Sequence, residues 1–454
     1  MKRMFISICL ILTIVAQSDT EMVRKVRDEV MMNGKAYDQL WYLTQKIGSR
    51  LSGSPQAAAA VEWARQEMER MGFDKVWLQE TKVPHWVRGA AEEVKLVGSK
   101  TEGDMEFKSL ALGGSVATPP EGITAEVVQV MSLDEVDKLG KSKIEGKIVF
   151  YNRPFDQTLV DMGEAYGKAV DQRGGGPSKA AQYGAVGVII RSMASVTDDF
   201  PHTGGLRYAD GIKKIPAAAI STIGADHLTR IMAKEKNVRI HMKINSQWLP
   251  DEVSYNVIGE ITGSDMADEI ITIGGHLDSW DVGQGAHDDG SGVVQSIEVL
   301  RALKAIGYKP KRTLRAVAFM NEENGLRGGT TYAAEAKRKG EKHIAGIESD
   351  AGGFTPRGFD VNSTKEVIEK MQPWLQHFDT GTIGFIEAGG GGADIGPLNR
   401  NLGTPSIELH PDRNRYFDYH HTNNDTFDKV NKRELHLGAA SMAGLVYLID
   451  KYGL

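Results

Sequence analysis

The stretch IITIGGHLDSWDVGQGAHDDGSGVVQSIEVL, residues 270–300, decides the fold. Ile270–Gly274 is a short apolar run rich in β-branched residues and reads as a buried strand. It runs into Gly275-His276-Leu277-Asp278. After a loop, Asp288-Asp289-Gly290-Ser291-Gly292 leads into a helix predicted over Gly292–Leu303. Asp is a preferred helix cap, so the Asp288-Asp289 pair also has a plain structural reading.

The alternation continues outward from this unit. Strands are predicted at Thr313–Met320, Ile344–Glu348 and Ser406–Leu409, with helices at Gly329–Arg338, Thr364–Phe378 and Glu434–Tyr452. Strands and helices in this order imply an α/β three-layer sandwich with a mostly parallel central sheet. In such sheets ligands gather beyond the carboxyl ends of the strands. The residues there are His276 and Asp278 after the first strand, Asn321-Glu322-Glu323 after the second, and Ser349-Asp350 after the third. A late loop, Tyr419-His420-His421-Thr422-Asn423-Asn424-Asp425-Thr426, precedes the last helix.

So many carboxylates on one rim repel each other unless something cationic sits among them. Two divalent ions would nearly balance three liganding carboxylates and a hydroxide. Imidazole and carboxylate donors without thiolate suit zinc, with cobalt or manganese as substitutes. Thiolate is absent because the one cysteine, Cys9, lies in an apolar run at the N-terminus. Lys2 and Arg3 precede that run, Met4 to Val15, and the small residues Ala16 and Ser18 follow it. This is the pattern of a secretory signal over residues 1–18. A membrane span needs roughly 20 apolar residues, so no stable span is expected after cleavage. The expected address is the periplasm or the extracellular medium. The net charge of −6 and the lack of a basic, aromatic-interleaved stripe exclude a nucleic-acid binder.

Upstream, residues 19–112 read first as helix and then as strand. Ser54-Pro55 starts a helix over Gln56–Met71 and Lys75–Val83 alternates like a strand. From residue 113 to 249 the texture changes to short strands separated by Gly and Pro, among them Ile123–Val130, Lys147–Tyr151 and Val186–Ile190. Residues 250–454 form the part that carries the rim. The segment 113–249 shows no cluster with metal or nucleophile spacing, and a structural or substrate-gating insert is the expectation.

The phrases GGHLDSW (274–280), GAHDDGSG (285–292), NEENG (321–325), ESDAG (348–352) and HHTNNDT (420–426) together resemble the bi-zinc aminopeptidase and glutamate carboxypeptidase family. The stretch GGHLDSWDVGQGA looks closest to its plasma glutamate carboxypeptidase branch. The phrases GKIVF, AAQYGAVGVII and IPAAAI resemble the protease-associated domain, a smaller β-rich module inserted into several exopeptidases. The resemblance implies the zinc exopeptidase fold and two zinc ions. His276 and Asp350 hold one ion, Glu323 and His421 the other, and Asp288 bridges them. Glu322 is the general base, and Asp278 sits behind His276 to hold its ring. His420 competes with His421, and the His-Thr-x-x-Asp-Thr spacing favours His421. The activity implied is hydrolysis of short peptides or dipeptides, and a homodimer is expected from the nearest branch. A glutamate carboxypeptidase is the alternative. It needs a cationic clamp, for which Arg400, Arg413 and Arg415 are candidates. A receptor-like peptide binder and a one-zinc glutaminyl cyclase share the scaffold but not the complete ligand set.

Overall fold

The computed structural model describes residues 19–379 and 381–454. The expected export signal at 1–18, with Cys9, lies outside the described residues. Two eight-stranded sheets organise the chain.

The first sheet runs in the order Lys75–Val87, Gln247–Ile261, Arg312–Phe319, Met266–His276, Lys342–Glu348, Ser406–Pro411, Pro356–Asn362, Phe385–Ala388. The four central strands are mutually parallel. Antiparallel pairs flank them on both sides, so the sheet is mixed rather than mostly parallel throughout. The strands at Pro356–Asn362 and Phe385–Ala388 have no counterpart in the predicted elements. They form the far edge, and their apolar signal is weak: Pro356–Asn362 mixes Arg, Gly, Asp and Asn with two large apolar residues, and Phe385–Ala388 is only four residues long.

Alternate residues of one strand face different cores. Leu314, Ala316 and Ala318 join the large core with helices Pro55–Arg70, Ser291–Ala305 and Lys432–Tyr452. Val317 and Phe319 join a second core with Arg327–Lys339 and Gly396–Leu402. This period of two on a sheet buried on both faces produces three layers. Ser54 caps its helix by accepting from the Ala57 amide. The helix expected over Thr364–Phe378 divides into Lys365–Met371 and a 3-10 turn, Gln372–His377, because Pro373 has no amide hydrogen to donate.

The second sheet is inserted between paired strands. Lys75–Val87 and Gln247–Ile261 are antiparallel partners, and Val87 stands opposite Gln247 where the chain leaves and returns. The excursion builds the order Gly103–Phe107, Glu93–Ser99, Arg239–Lys243, Ile123–Val130, Ile148–Tyr151, Gly187–Arg191, Ala217–Ile220, Ser109–Ala111. Its first strand, Glu93–Ser99, begins about twenty residues before the expected boundary at 113. Ile148 and Phe150 pack on one face of this sheet and Val149 and Tyr151 on the other. Among the described residues, no helix is long and apolar enough to cross a membrane.

Candidate metal centre

The parallel register delivers the rim. His276 lies opposite Phe319, and Gly274 lies opposite Phe319's neighbour-but-one Val317 on one side and Glu348 on the other. Residues that follow these three strands therefore emerge side by side. The helix Ser291–Ala305 comes down onto the same strand end. A Cβ on Gly275 would stand 2.7 Å from the Gly292 carbonyl carbon and 2.8 Å from the Val293 amide, so only glycine permits the approach.

The two aspartates at the start of that helix have separate tasks. Asp289 accepts from the His276 amide at 3.0 Å and from the Gly292 amide at 2.9 Å, tying strand end to helix start. Asp288 is thereby left facing the cavity. Its Oδ1 lies 3.2 Å from His276 Nε2, and its Oδ2 lies 3.3 Å from His421 Nε2. Asp350 Oδ1 lies 3.4 Å from His276 Nε2, and Glu323 Oε2 lies 3.1 Å from His421 Nε2. All five expected donors, from four separate parts of the chain, meet in one place with Asp288 in the middle. His420 Nε2 stands farther back, 3.7 Å from Asp288, with its ring stacked on His421 at 3.4 Å between centroids.

These groups form two overlapping sets able to hold a cation, His276–Asp288–Asp350 and Asp288–His420–His421. The donor chemistry fits a pair of divalent ions. Asp288 Oδ2 and Asp350 Oδ1 are buried and, among the described residues, accept no hydrogen bond, with the imidazole nitrogens of His421 and His276 close by. Burial and then neighbouring carboxylates push Glu323 well above its ordinary range, and burial likewise raises Asp350. Burial lowers His421 well below neutral imidazole's usual value, which keeps its nitrogen lone pair free. A cation between such groups relieves the repulsion and uses the lone pairs.

Glu322 and Glu323 are consecutive but differently used. Glu323 is fixed, with Oε1 accepting from the Trp280 amide at 3.1 Å. The Glu322 carboxylate has no hydrogen bond to protein among the described residues, and it lines the cavity beside Asp350 and Asp288. Burial pushes it up to about 8, with Asp350 adding to the rise against the pull of His276.

Asp278 holds the His276 ring in a different way from that expected. The ring Nδ1 meets the main-chain carbonyl of Asp278 at 3.0 Å, while the carboxylate is 3.9 Å away. That carboxylate instead accepts from the Asn321 amide at 2.6 Å and the Glu322 amide at 3.1 Å. Asp278 thus aims the loop that carries Glu322.

Several supporting residues carry no sequence motif. Arg50 is fully buried and donates to the carbonyls of Leu277 at 2.6 Å and of Gln284 and Gly285 at 2.9 Å, bracing the loop before Asp288. Asp425 accepts from the His287 and Asp288 amides at 2.8 and 3.1 Å. His287 packs face to face with Phe354 and does not reach the cavity. The glycine loop at 389–392 is not part of the cavity wall. The residues after it wrap Glu348, which accepts from the amides of Ala393, Asp394 and Ile395.

The cavity, ≈ 540 Å³, is walled on its far side by Gly113, Tyr166, Arg173 and Arg207 of the inserted unit and by Trp248 of the returning strand Gln247–Ile261. Arg173 is buried and bonds only to neutral groups. It donates to the Tyr166 hydroxyl at 2.5 Å and the Thr203 carbonyl at 3.4 Å, its Nη1 also lies 3.4 Å from His421 Nδ1, and among the described residues its Nε has no acceptor. Arg400, Arg413 and Arg415 do not line the cavity. Arg413 pairs with Asp161 at 2.8 Å, and Arg415 lies over Phe354.

A sequence profile of peptidase family M28 matches residues 256–446. The chain is 35% identical to carboxypeptidase Q of Mus musculus over 422 residues, which is 91% of this chain and 85% of that protein. It is 36% identical to human carboxypeptidase Q over 415 residues, with the same coverage. The crystal structure of a peptidase M28 precursor from Shewanella amazonensis SB2B superposes with a TM-score of 0.91 at 34% identity, over 96% of this chain and 97% of that one. With likeness of this extent in both sequence and fold, the chain belongs to peptidase family M28.

Proposed function

We propose that the chain is an exported, zinc-dependent exopeptidase that hydrolyses dipeptides and other short peptides. The observation that supports the chemistry is the convergence of His276, Asp288, Asp350, Glu323 and His421 around one cavity, with the unbonded carboxylate of Glu322 at its wall. His276, Asp350, His421, Glu323 and Asp288 would hold two zinc ions, which when bound would supply a lowered water pKa and polarisation of the scissile carbonyl. Glu322 accepts the water's proton and delivers it to the leaving amine, and Asp278 holds the Glu322 amide so that the carboxylate faces the reacting bond. The inserted unit is the protease-associated module of this reading. It walls the cavity and limits the length of peptide that enters.

The substrate class follows from charge. Four carboxylates occupy one wall of the cavity, and Arg173, a buried guanidinium without an acidic partner, occupies the other. A buried cation with unmet donors favours an anionic group on the ligand. In this reading Arg173 receives the free carboxylate of a short peptide whose amide bond lies at the zinc pair.

Dipeptides with a free carboxylate are expected to be hydrolysed, chelation to abolish the activity, and C-terminal amidation to lower kcat/KM. Arg173→Met is expected to raise KM for the free dipeptide roughly 10–100-fold, the worth of a hydrogen-bonded charge, and to change the amidated substrate little. Zinc content measured on the same sample separates this from metal loss. Equal effects on both substrates would remove Arg173 from the role, and hydrolysis that survives chelation would remove the zinc mechanism.

A further inference from the structure

We propose that Thr203 and Gly204 of the inserted unit are positioning residues for the cation site that contains His421; the proposal rests on the zinc reading above. The two ligating histidines are oriented in the same manner from different sources. A neutral imidazole that presents Nε2 to a metal carries its proton on Nδ1 and needs an acceptor there. For His276 that acceptor is the main-chain carbonyl of Asp278, two residues along the same loop, at 3.0 Å. For His421 the acceptor within reach is the main-chain carbonyl of Thr203, at 3.3 Å, on the other structural unit; Arg173 Nη1 stands 3.4 Å from the same ring nitrogen and, having only protons to offer, cannot serve as that acceptor. The Thr203 amide also donates to the His421 carbonyl at 3.0 Å, so the residue is held at backbone and ring together. His421 has a positive φ of 63°, unusual for a side chain of this size, and this two-point grip supports it.

Thr203 is itself anchored across the junction. Its hydroxyl donates to the Ala111 carbonyl at 2.8 Å and accepts from Arg88 at 3.4 Å. Arg88 forms a two-point pair with Asp281, at 2.9 and 2.6 Å, in the loop that follows His276 and Asp278. Asp281, Arg88, Thr203 and His421 thus link the rim of the first unit to its own second histidine by way of the inserted unit. Gly204 completes the fit. Its φ is +128°, and a Cβ there would stand 2.7 Å from His421 Nδ1 and run into the Arg173 guanidinium. The inserted unit is therefore a component of the metal centre as well as its cover.

Calorimetric titration of zinc into the metal-free full-length chain tests this. Wild type is expected to show two sites. In Gly204→Ala one site is expected to weaken by about 10–100-fold, the usual cost of losing an outer partner of a ligating histidine, while the other keeps its affinity. Thr203→Val keeps the main chain and removes only the hydroxyl anchor. It is expected to weaken the same single site about three- to tenfold, and Thr203→Ser to restore it. Thermal melts of the metal-free variants report folding separately. Unchanged affinity at both sites in Gly204→Ala overturns the proposal. So does equal weakening of both sites in Thr203→Val, which marks a general structural role. Wild-type protein that binds fewer than two zinc ions overturns the functional reading, and this proposal with it.

Discussion

Glu322→Gln is expected to retain two zinc ions per chain and to lose about 10²–10⁴-fold in kcat, the usual contribution of a positioned acid–base group. The substitution keeps the side chain's length and removes only its ability to take up and release a proton. Metal retention follows from the different placement of the neighbouring residues. Glu323 is held by the Trp280 amide at 3.1 Å and points to His421, whereas among the described residues no donor reaches the Glu322 carboxylate. The Glu322 main chain is fixed by Asp278 at 3.1 Å in either variant, so the loop keeps its course. Because the proton moves only during reaction, kcat and kcat/KM should fall together. Glu323→Gln is the matched control and should lose zinc from one site. Zinc loss in Glu322→Gln, or turnover near wild type, would reverse the roles assigned to the two glutamates.

Much of this site is legible in the sequence, for a physical reason. Candidate ligands at the ends of buried strands are flagged by the apolar runs before them, and parallel register does the rest. His276, Glu323 and Asp350 each follow such a run and arrive side by side. Asp288 and His421 were readable from the helix start and from the spacing of the late loop. What could not be read depends on long-range packing. Arg50 makes its bonds to carbonyls more than two hundred residues away, and nothing in its neighbours marks it. Arg173, Tyr166 and Thr203 belong to a segment without metal or nucleophile spacing, yet Arg173 and Tyr166 line the cavity and Thr203 meets the His421 ring because the insertion folds back over the rim. Asp278 illustrates the limit of residue-level inference. Its place beside His276 is readable, but which of its atoms faces the ring depends on the path of the main chain.

Removing the cations is expected to abolish hydrolysis and to make the protein less stable as pH rises above neutrality. In the protein without metal, burial holds Glu322 at about 8 and keeps Glu323 and Asp350 raised. An acid whose folded pKa lies above its unfolded value, about 4 for Asp and Glu, binds more protons folded than unfolded between those two values. Its stabilising contribution is complete below pH 4 and is lost progressively as pH rises toward 8. The metal-free melting temperature should therefore fall from pH 7 to pH 8.5; below about pH 6.5 the buried histidines His202, His287, His420 and His436, lowered to about 3 or 4, gain stability as pH rises and oppose that slope. Glu348 and Glu408, raised by burial to about 8 and about 7, add to the same slope but coordinate nothing, so they contribute to both forms. Zinc reverses the slope at the ligands, because binding needs them deprotonated and releases their protons. The gain in melting temperature on adding zinc should then be smallest at pH 5 and largest at pH 8.5. The corresponding stabilisation is about 4 kcal/mol for each site at which free zinc is a thousandfold above its dissociation constant. Parallel melting curves with and without chelator across this range would mean that the carboxylates keep their charge without help. The case for a cation pair at Asp288 would fail with that result.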